Sequence, residues 1–200
     1  MKNNMTRADM VAGRRIIRKL AGDPVKGQLL PNSAKIGGVV ALALAAFLVW
    51  GQPARADDPD FIAVALGAYD INDNKTAAEG RLEYRSDKRF GPFKPLSGLL
   101  LTSDRAAYGY LGVLIDIHFG RRLVLTPSFA PGVYHRGQGK DLGHWIEFRS
   151  QLELAYRFDD RSRLGVSLSH ISNASLDDNN PGTESLMLNY AVPFHRLLAQ

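Results

Sequence analysis

From about residue 60 onward, apolar and polar residues alternate with a period of two, in segments of about ten residues divided by turn residues. Successive side chains of a strand point to opposite faces, so this pattern makes strands with one apolar and one polar surface. Residues 146–158 show it most clearly. Ile146, Phe148, Leu152, Leu154, Tyr156 and Phe158 share one face, and Glu147, Arg149, Gln151, Glu153 and Arg157 share the other. In 108–119, Leu111, Val113, Ile115, Ile117 and Phe119 oppose Tyr108, Tyr110, Asp116 and His118. In 81–87, Leu82 and Tyr84 oppose Arg81, Glu83, Arg85 and Asp87. No stretch after Asp57 is apolar for long enough to cross a bilayer as a helix.

Strands are read near 61–71, 78–87, 93–103, 107–119, 122–133, 146–158, 162–172 and 184–194. Their connections alternate between tight links (Asp87–Gly91, Gly120-Arg121, Asp159–Arg161) and the longer Tyr134–Gly143 and Asn173–Thr183. Ten-residue strands joined by alternating short turns and long loops are the pattern of bacterial outer-membrane barrels. The expected fold is all-β, an eight-stranded antiparallel transmembrane β-barrel. In such a barrel the apolar face meets lipid, and opposite charges such as Glu147, Arg149, Glu153 and Arg157 pair in the lumen. An even strand count leaves both termini on the periplasmic side.

The beginning of the chain supports export. Arg14, Arg15, Arg18, Lys19, Lys26 and Lys35 form a basic region, Ile36–Val49 is an uncharged apolar run, and Ala54-Arg55-Ala56 supplies small residues for cleavage. Residues 1–56 therefore read as a signal peptide cleaved after Ala56, and 57–200 as the barrel, reaching the outer membrane by Sec-type export. The charge distribution agrees. The chain has 25 Lys and Arg against 20 Asp and Glu; residues 1–56 hold nine and two of these, leaving 16 and 18 in the remainder. The basic excess belongs to the leader, and nucleic-acid binding loses its support. With no Cys, disulfide and thiolate chemistry are excluded.

One place breaks the alternation in an informative way. In the seventh strand, Leu164, Val166 and Leu168 share a face with His170 and Ser172, and in the eighth Glu184 shares one with Leu186, Leu188, Tyr190, Val192 and Phe194. Three polar groups thus fall on the surface that should meet hydrocarbon, where they are costly. Their types suit nucleophilic hydrolysis: a serine needs a base to take its proton, His170 supplies one, Glu184 orients it, and Asn173 offers an oxyanion donor. The same residues also fit a non-catalytic barrel with a polar rim. His118, His135, His144 and His195 are too scattered for a metal site, and no cofactor is called for.

His170-Ile171-Ser172-Asn173 followed by Glu184, with Tyr190-x-x-Pro193-Phe194 after it, resembles the lipid A 3-O-deacylases of Gram-negative outer membranes. The resemblance implies hydrolysis of the ester-linked 3-hydroxyacyl chain at the 3-position of lipid A. It implies Ser172 as nucleophile, His170 as base, Glu184 as orienting acid, and Asn173 with the main chain of Ser175 as oxyanion donors. The implied partner is lipopolysaccharide among the lipids of the outer leaflet, and a homodimer is compatible with it. Two features depart from the pattern: Ser175 stands where a glycine is usual, and the chain continues past Phe194 as His195–Gln200. Two other functions remain on the same scaffold, a structural or adhesive barrel and a different lipid acyl hydrolase or acyltransferase.

Overall fold

The computed structural model describes residues 58–73 and 76–198. The signal peptide expected over 1–56, with its cleavage after Ala56, lies outside the described residues. The strands are β1 (Phe61–Tyr69), β2 (Ala77–Arg85), β3 (Lys94–Thr102), β4 (Ala107–Leu114), β5 (Ile117–Phe119), β6 (Leu123–His135), β7 (Ile146–Arg157), β8 (Arg163–Ser172) and β9 (Thr183–Pro193). A short helix, α1 (Phe194–Leu198), follows. Each strand pairs antiparallel with its neighbours; β1 pairs with β9 and β4 with β6, so the sheet closes on itself.

Segments β4 and β5 are two halves of one stave. Both pair with β6 in a single register, Val113 opposite Phe129 and Ile117 opposite Leu125. The interruption lies opposite Pro127. Ile115 N–H donates to the Pro127 carbonyl at 3.0 Å, and proline has no N–H to return the bond. The barrel therefore has eight staves, as the alternation predicts, with one split that the alternation does not reveal.

Burial follows the pleat. On β7, Glu147, Arg149, Gln151 and Glu153 are buried, whereas Leu152, Leu154 and Tyr156 are exposed. The same inversion holds on β2, with Arg81, Glu83 and Arg85 inside and Leu82 and Tyr84 outside. A soluble sandwich would bury the opposite face. Leu66, Leu111, Val166 and Leu188, all more than half exposed, form part of a continuous apolar outer belt of the kind a lipid bilayer covers.

The lumen is filled by side chains, as an eight-stave barrel requires. One part is apolar, with Leu96, Leu100, Tyr108, Tyr110 and Leu114 clustered and the two tyrosine rings stacked at 5.2 Å. The rest is ionic. The expected pairing among the charges of β7 itself is corrected: Arg149 reaches Glu83 at 2.8 Å and Glu153 receives Arg85 at 2.6 Å, both on β2. Staves β2 and β7 face each other across the narrow lumen, so their charges meet there, and Glu83 also receives Arg85 two residues along its own strand at 2.7 Å. Arg157 lies 3.7 Å from Asp58, and neither oxygen of the buried Glu147 finds a hydrogen-bond donor among the described residues.

The two ends differ. Phe61 lies opposite Pro193, so β1 starts where β9 finishes, at the end that also carries the connections 86–93, 120–122 and 158–162. The opposite end carries 70–76, 103–106, 136–145 and 173–182.

Candidate active site

The site lies at the loop end of β8 and β9, on the outer face. His170 and Glu184 are register partners across these strands, so their side chains leave the same surface at neighbouring points. His170 Nδ1 is 3.0 Å from Glu184 Oε1, and both side chains are partly buried. A carboxylate can only accept, so the Nδ1–H donates, which leaves Nε2 with its lone pair free.

Gly182 fixes where that lone pair points. A Cβ at this position would lie 2.7 Å from His170 Cε1 and 3.4 Å from Nε2. The imidazole edge is therefore turned toward Gly182, which precedes Thr183, the register partner of Ile171. That is the level of Ser172. Gly182 also has a φ of +66°, a conformation that a side chain disfavours. Ser172 emerges on the same outer face as His170, two residues nearer the loops. Its hydroxyl has no hydrogen-bond partner among the described residues. The structure thus brings His170 and Glu184 into contact and sets Ser172 beside them without a bond.

Asn173 points the other way and is fully buried. Its Nδ2 donates to the carbonyls of Leu142 at 2.9 Å and Asn179 at 2.8 Å, and its Oδ1 accepts the N–H of Ser175 at 2.9 Å. Its own N–H donates to Asn180 Oδ1 at 3.0 Å. Asn173 therefore ties the 136–145 loop to the turn that follows Ser172. In that turn Ala174 and Ser175 have φ of 54° and 66°. Ser175 adopts the left-handed backbone that glycine takes more readily, so the departure from glycine leaves this turn in a glycine-like shape.

Behind the outer face, Asp70 anchors the start of β9. It accepts from Thr183 Oγ1 at 3.1 Å and from Lys140 Nζ at 2.8 Å, and the Ile71 N–H donates to the Glu184 carbonyl at 3.2 Å. Burial works against the charge on Lys140, but hydrogen bonds to Asp70 and Asp73 outweigh it and raise its pKa. Sequence reading does not find Gly182, Asp70 or Thr183 as parts of the site. It also passes over Ser150, the register partner of His170 on β7. The signal for Ser150 is present in the sequence: the outward row Ile146, Phe148, Ser150, Leu152 has one polar break.

The family model described as lipid A 3-O-deacylase (PagL) matches residues 73–193, which include all of these strands except β1 and the residues that carry the site. The chain belongs to the PagL family. Its fold is similar to that of the outer membrane enzyme PagL seen by crystallography, with a TM-score of 0.52 and 18% identity over 66% of this chain and 99% of the other. It is also similar to a de novo designed transmembrane β-barrel, with a TM-score of 0.51 and 10% identity over 69% of this chain and 97% of the other. None of the curated proteins matches the sequence. As a PagL-family barrel, the chain is an outer-membrane protein of a family of lipid A deacylases.

Proposed function

We propose that this PagL-family chain hydrolyses the ester that links a 3-hydroxyacyl chain to the 3-position of lipid A, with Ser172, His170 and Glu184 as its triad. The observation that carries this reading is the 3.0 Å contact between His170 Nδ1 and Glu184 Oε1 on a face otherwise built for hydrocarbon. An oriented imidazole beside a serine has a ready chemical use and no packing use there.

With the termini toward the periplasm, the loop end meets the outer leaflet, where the lipid A ester linkages lie near the headgroup boundary. His170 Nε2 takes the proton of Ser172 as Oγ attacks the ester carbonyl. The tetrahedral intermediate collapses with cleavage of the bond to the sugar 3-oxygen, and His170 returns the proton to that oxygen. Water then attacks the acyl-serine, again deprotonated by His170, which releases the fatty acid and restores Ser172. Glu184 holds the ring and stabilises the imidazolium formed in each half. The Ser175 N–H serves the oxyanion by exchange: its neutral hydrogen bond to Asn173 Oδ1 is given up for a charge-assisted one to substrate, the stronger of the two. The Asn173 side chain, buried and turned away from Ser172, holds the turn that carries this N–H instead of donating to the oxyanion itself as the sequence suggests.

The test uses the full chain folded in detergent micelles with purified lipid A, following the release of free 3-hydroxy fatty acid. Ser172→Ala and His170→Ala should each abolish release while the barrel stays folded, and Ser97→Ala, a serine on the outer face of β3, should leave it unchanged. A folded and fully active Ser172→Ala protein overturns the reading.

A further inference from the structure

Four polar side chains stand together on the outer face at the loop end. Glu184 on β9, His170 on β8 and Ser150 on β7 occupy one cross-strand row, and Ser172 lies one step above them on β8. Three of these belong to the proposed triad. Ser150 does not. It is partly buried between the outward Phe148 and Leu152, and its hydroxyl has no hydrogen-bond partner among the described residues. An unpaired hydroxyl facing hydrocarbon is costly, and the outward neighbours of Ser150 on its own strand are Phe148 and Leu152. The outward serine Ser97 lies on β3, four staves from β8, with no such company.

We propose that Ser150 recognises the free hydroxyl of a 3-hydroxyacyl chain, so that the site selects hydroxylated acyl esters over plain ones. This inference rests on the deacylase reading above and adds the residue that reads the acyl chain. The argument is one of place. Ser150 and Ser172 are diagonal neighbours on adjacent strands, about 7–8 Å apart. An attacked carbonyl sits about 3 Å from the nucleophile. The chain of an outer-leaflet lipid then runs from that carbonyl toward the membrane interior, past the level of His170 and Ser150. A hydroxyl on the third carbon, two atoms beyond the carbonyl carbon, comes within hydrogen-bond reach of Ser150 at about 2.8 Å. The next outward level, Leu152, Leu168 and Leu186, is wholly apolar and suits the rest of the chain. Serine both donates and accepts, so it satisfies the acyl hydroxyl, and the acyl hydroxyl satisfies it.

The experiment compares two lipid A substrates that differ only in the chain at the 3-position, one 3-hydroxyacyl and one plain acyl of equal length. The enzymes are the full chain and its Ser150→Ala and Ser150→Thr variants, each checked for a folded barrel. The wild type should cleave the hydroxylated ester with the higher kcat/KM. Ser150→Ala should lose roughly five- to tenfold on that ester, the size of one hydrogen bond, and nothing on the plain one. Ser150→Thr, which keeps a hydroxyl, should keep the preference. Equal losses on both esters would make Ser150 a mere support of His170 and overturn the proposal, as would a wild type without preference or an alanine variant that retains it. A wild type that cleaves neither ester overturns the deacylase reading itself, and this inference with it.

Discussion

His170 sits between two partners that define it from opposite sides, Glu184 at 3.0 Å and the bare backbone of Gly182. Each side yields a prediction. Glu184→Gln keeps the shape but presents an amide that stabilises the imidazolium poorly, so kcat should fall by as much as about 10⁴-fold with KM little changed. Gly182→Ala puts a methyl group against the ring and strains a φ of +66°. A catalytic group displaced by about 1 Å costs on the order of 10²-fold, so activity should drop at least that far while the protein still runs as a folded barrel on unheated gels. If Gly182→Ala is fully active, Gly182 does not position the ring. The residues of the proposed triad are legible in the sequence because each puts a polar group on a face that is otherwise mostly apolar. Gly182 is not, because a Pro-Gly pair before a strand reads as an ordinary turn, and only the folded hairpin shows the ring beside it. Asn173 is half legible: its polarity marks the site, but its burial and its bonds depend on Leu142, 31 residues away, and on how its own loop folds Asn179 back, six residues on.

At the level of the strands, the pattern is legible almost throughout. A period of two with a charged face and an apolar face locates every stave to within about two residues and assigns its sides. Two things escape it. The split between β4 and β5 depends on which residue stands across the ladder, Pro127, and that is a matter of register. The choice of ionic partners depends on which staves face each other across the lumen, a consequence of closure. The facing itself can be tested on one strand. Leu154→Arg, on the lipid face, should destabilise by roughly 2–4 kcal/mol if it lies near the midplane. Arg149→Leu, on the lumen face, should cost about 3–5 kcal/mol, because it leaves Glu83 short of a buried partner. Equilibrium unfolding in urea with lipid vesicles measures both, and a harmless Leu154→Arg would contradict the outward assignment.

The whole barrel is closed at its turn end by a second ionic group. Asp58, ahead of β1, lies 2.8 Å from Arg163 and 3.5 Å from Lys94, with His118 at 3.3 Å. Burial alone would raise the Asp58 pKa, but His118, Arg163 and Lys94 overcome it and hold the value at about 2. An unfolded aspartate titrates near 3.9. The folded value is the lower one, so this stabilisation is complete above about pH 4 and is lost as pH falls toward 2. Asp58→Asn should therefore destabilise the barrel at pH 7 and make less difference at pH 2, as read by the temperature at which the unheated gel band is lost. With an ionic lumen inside and an apolar belt outside, the proposed triad puts the chemistry on the lipid-facing side. The most direct measurement is the tandem mass spectrum of lipid A from Gram-negative cells that produce either the wild-type chain or Ser172→Ala. The wild type should yield lipid A lacking one 3-hydroxyacyl chain, with the fragments placing the loss at the 3-position, and Ser172→Ala should leave lipid A intact. Lipid A unchanged by the wild type, or shortened equally by a folded Ser172→Ala barrel, would contradict the account.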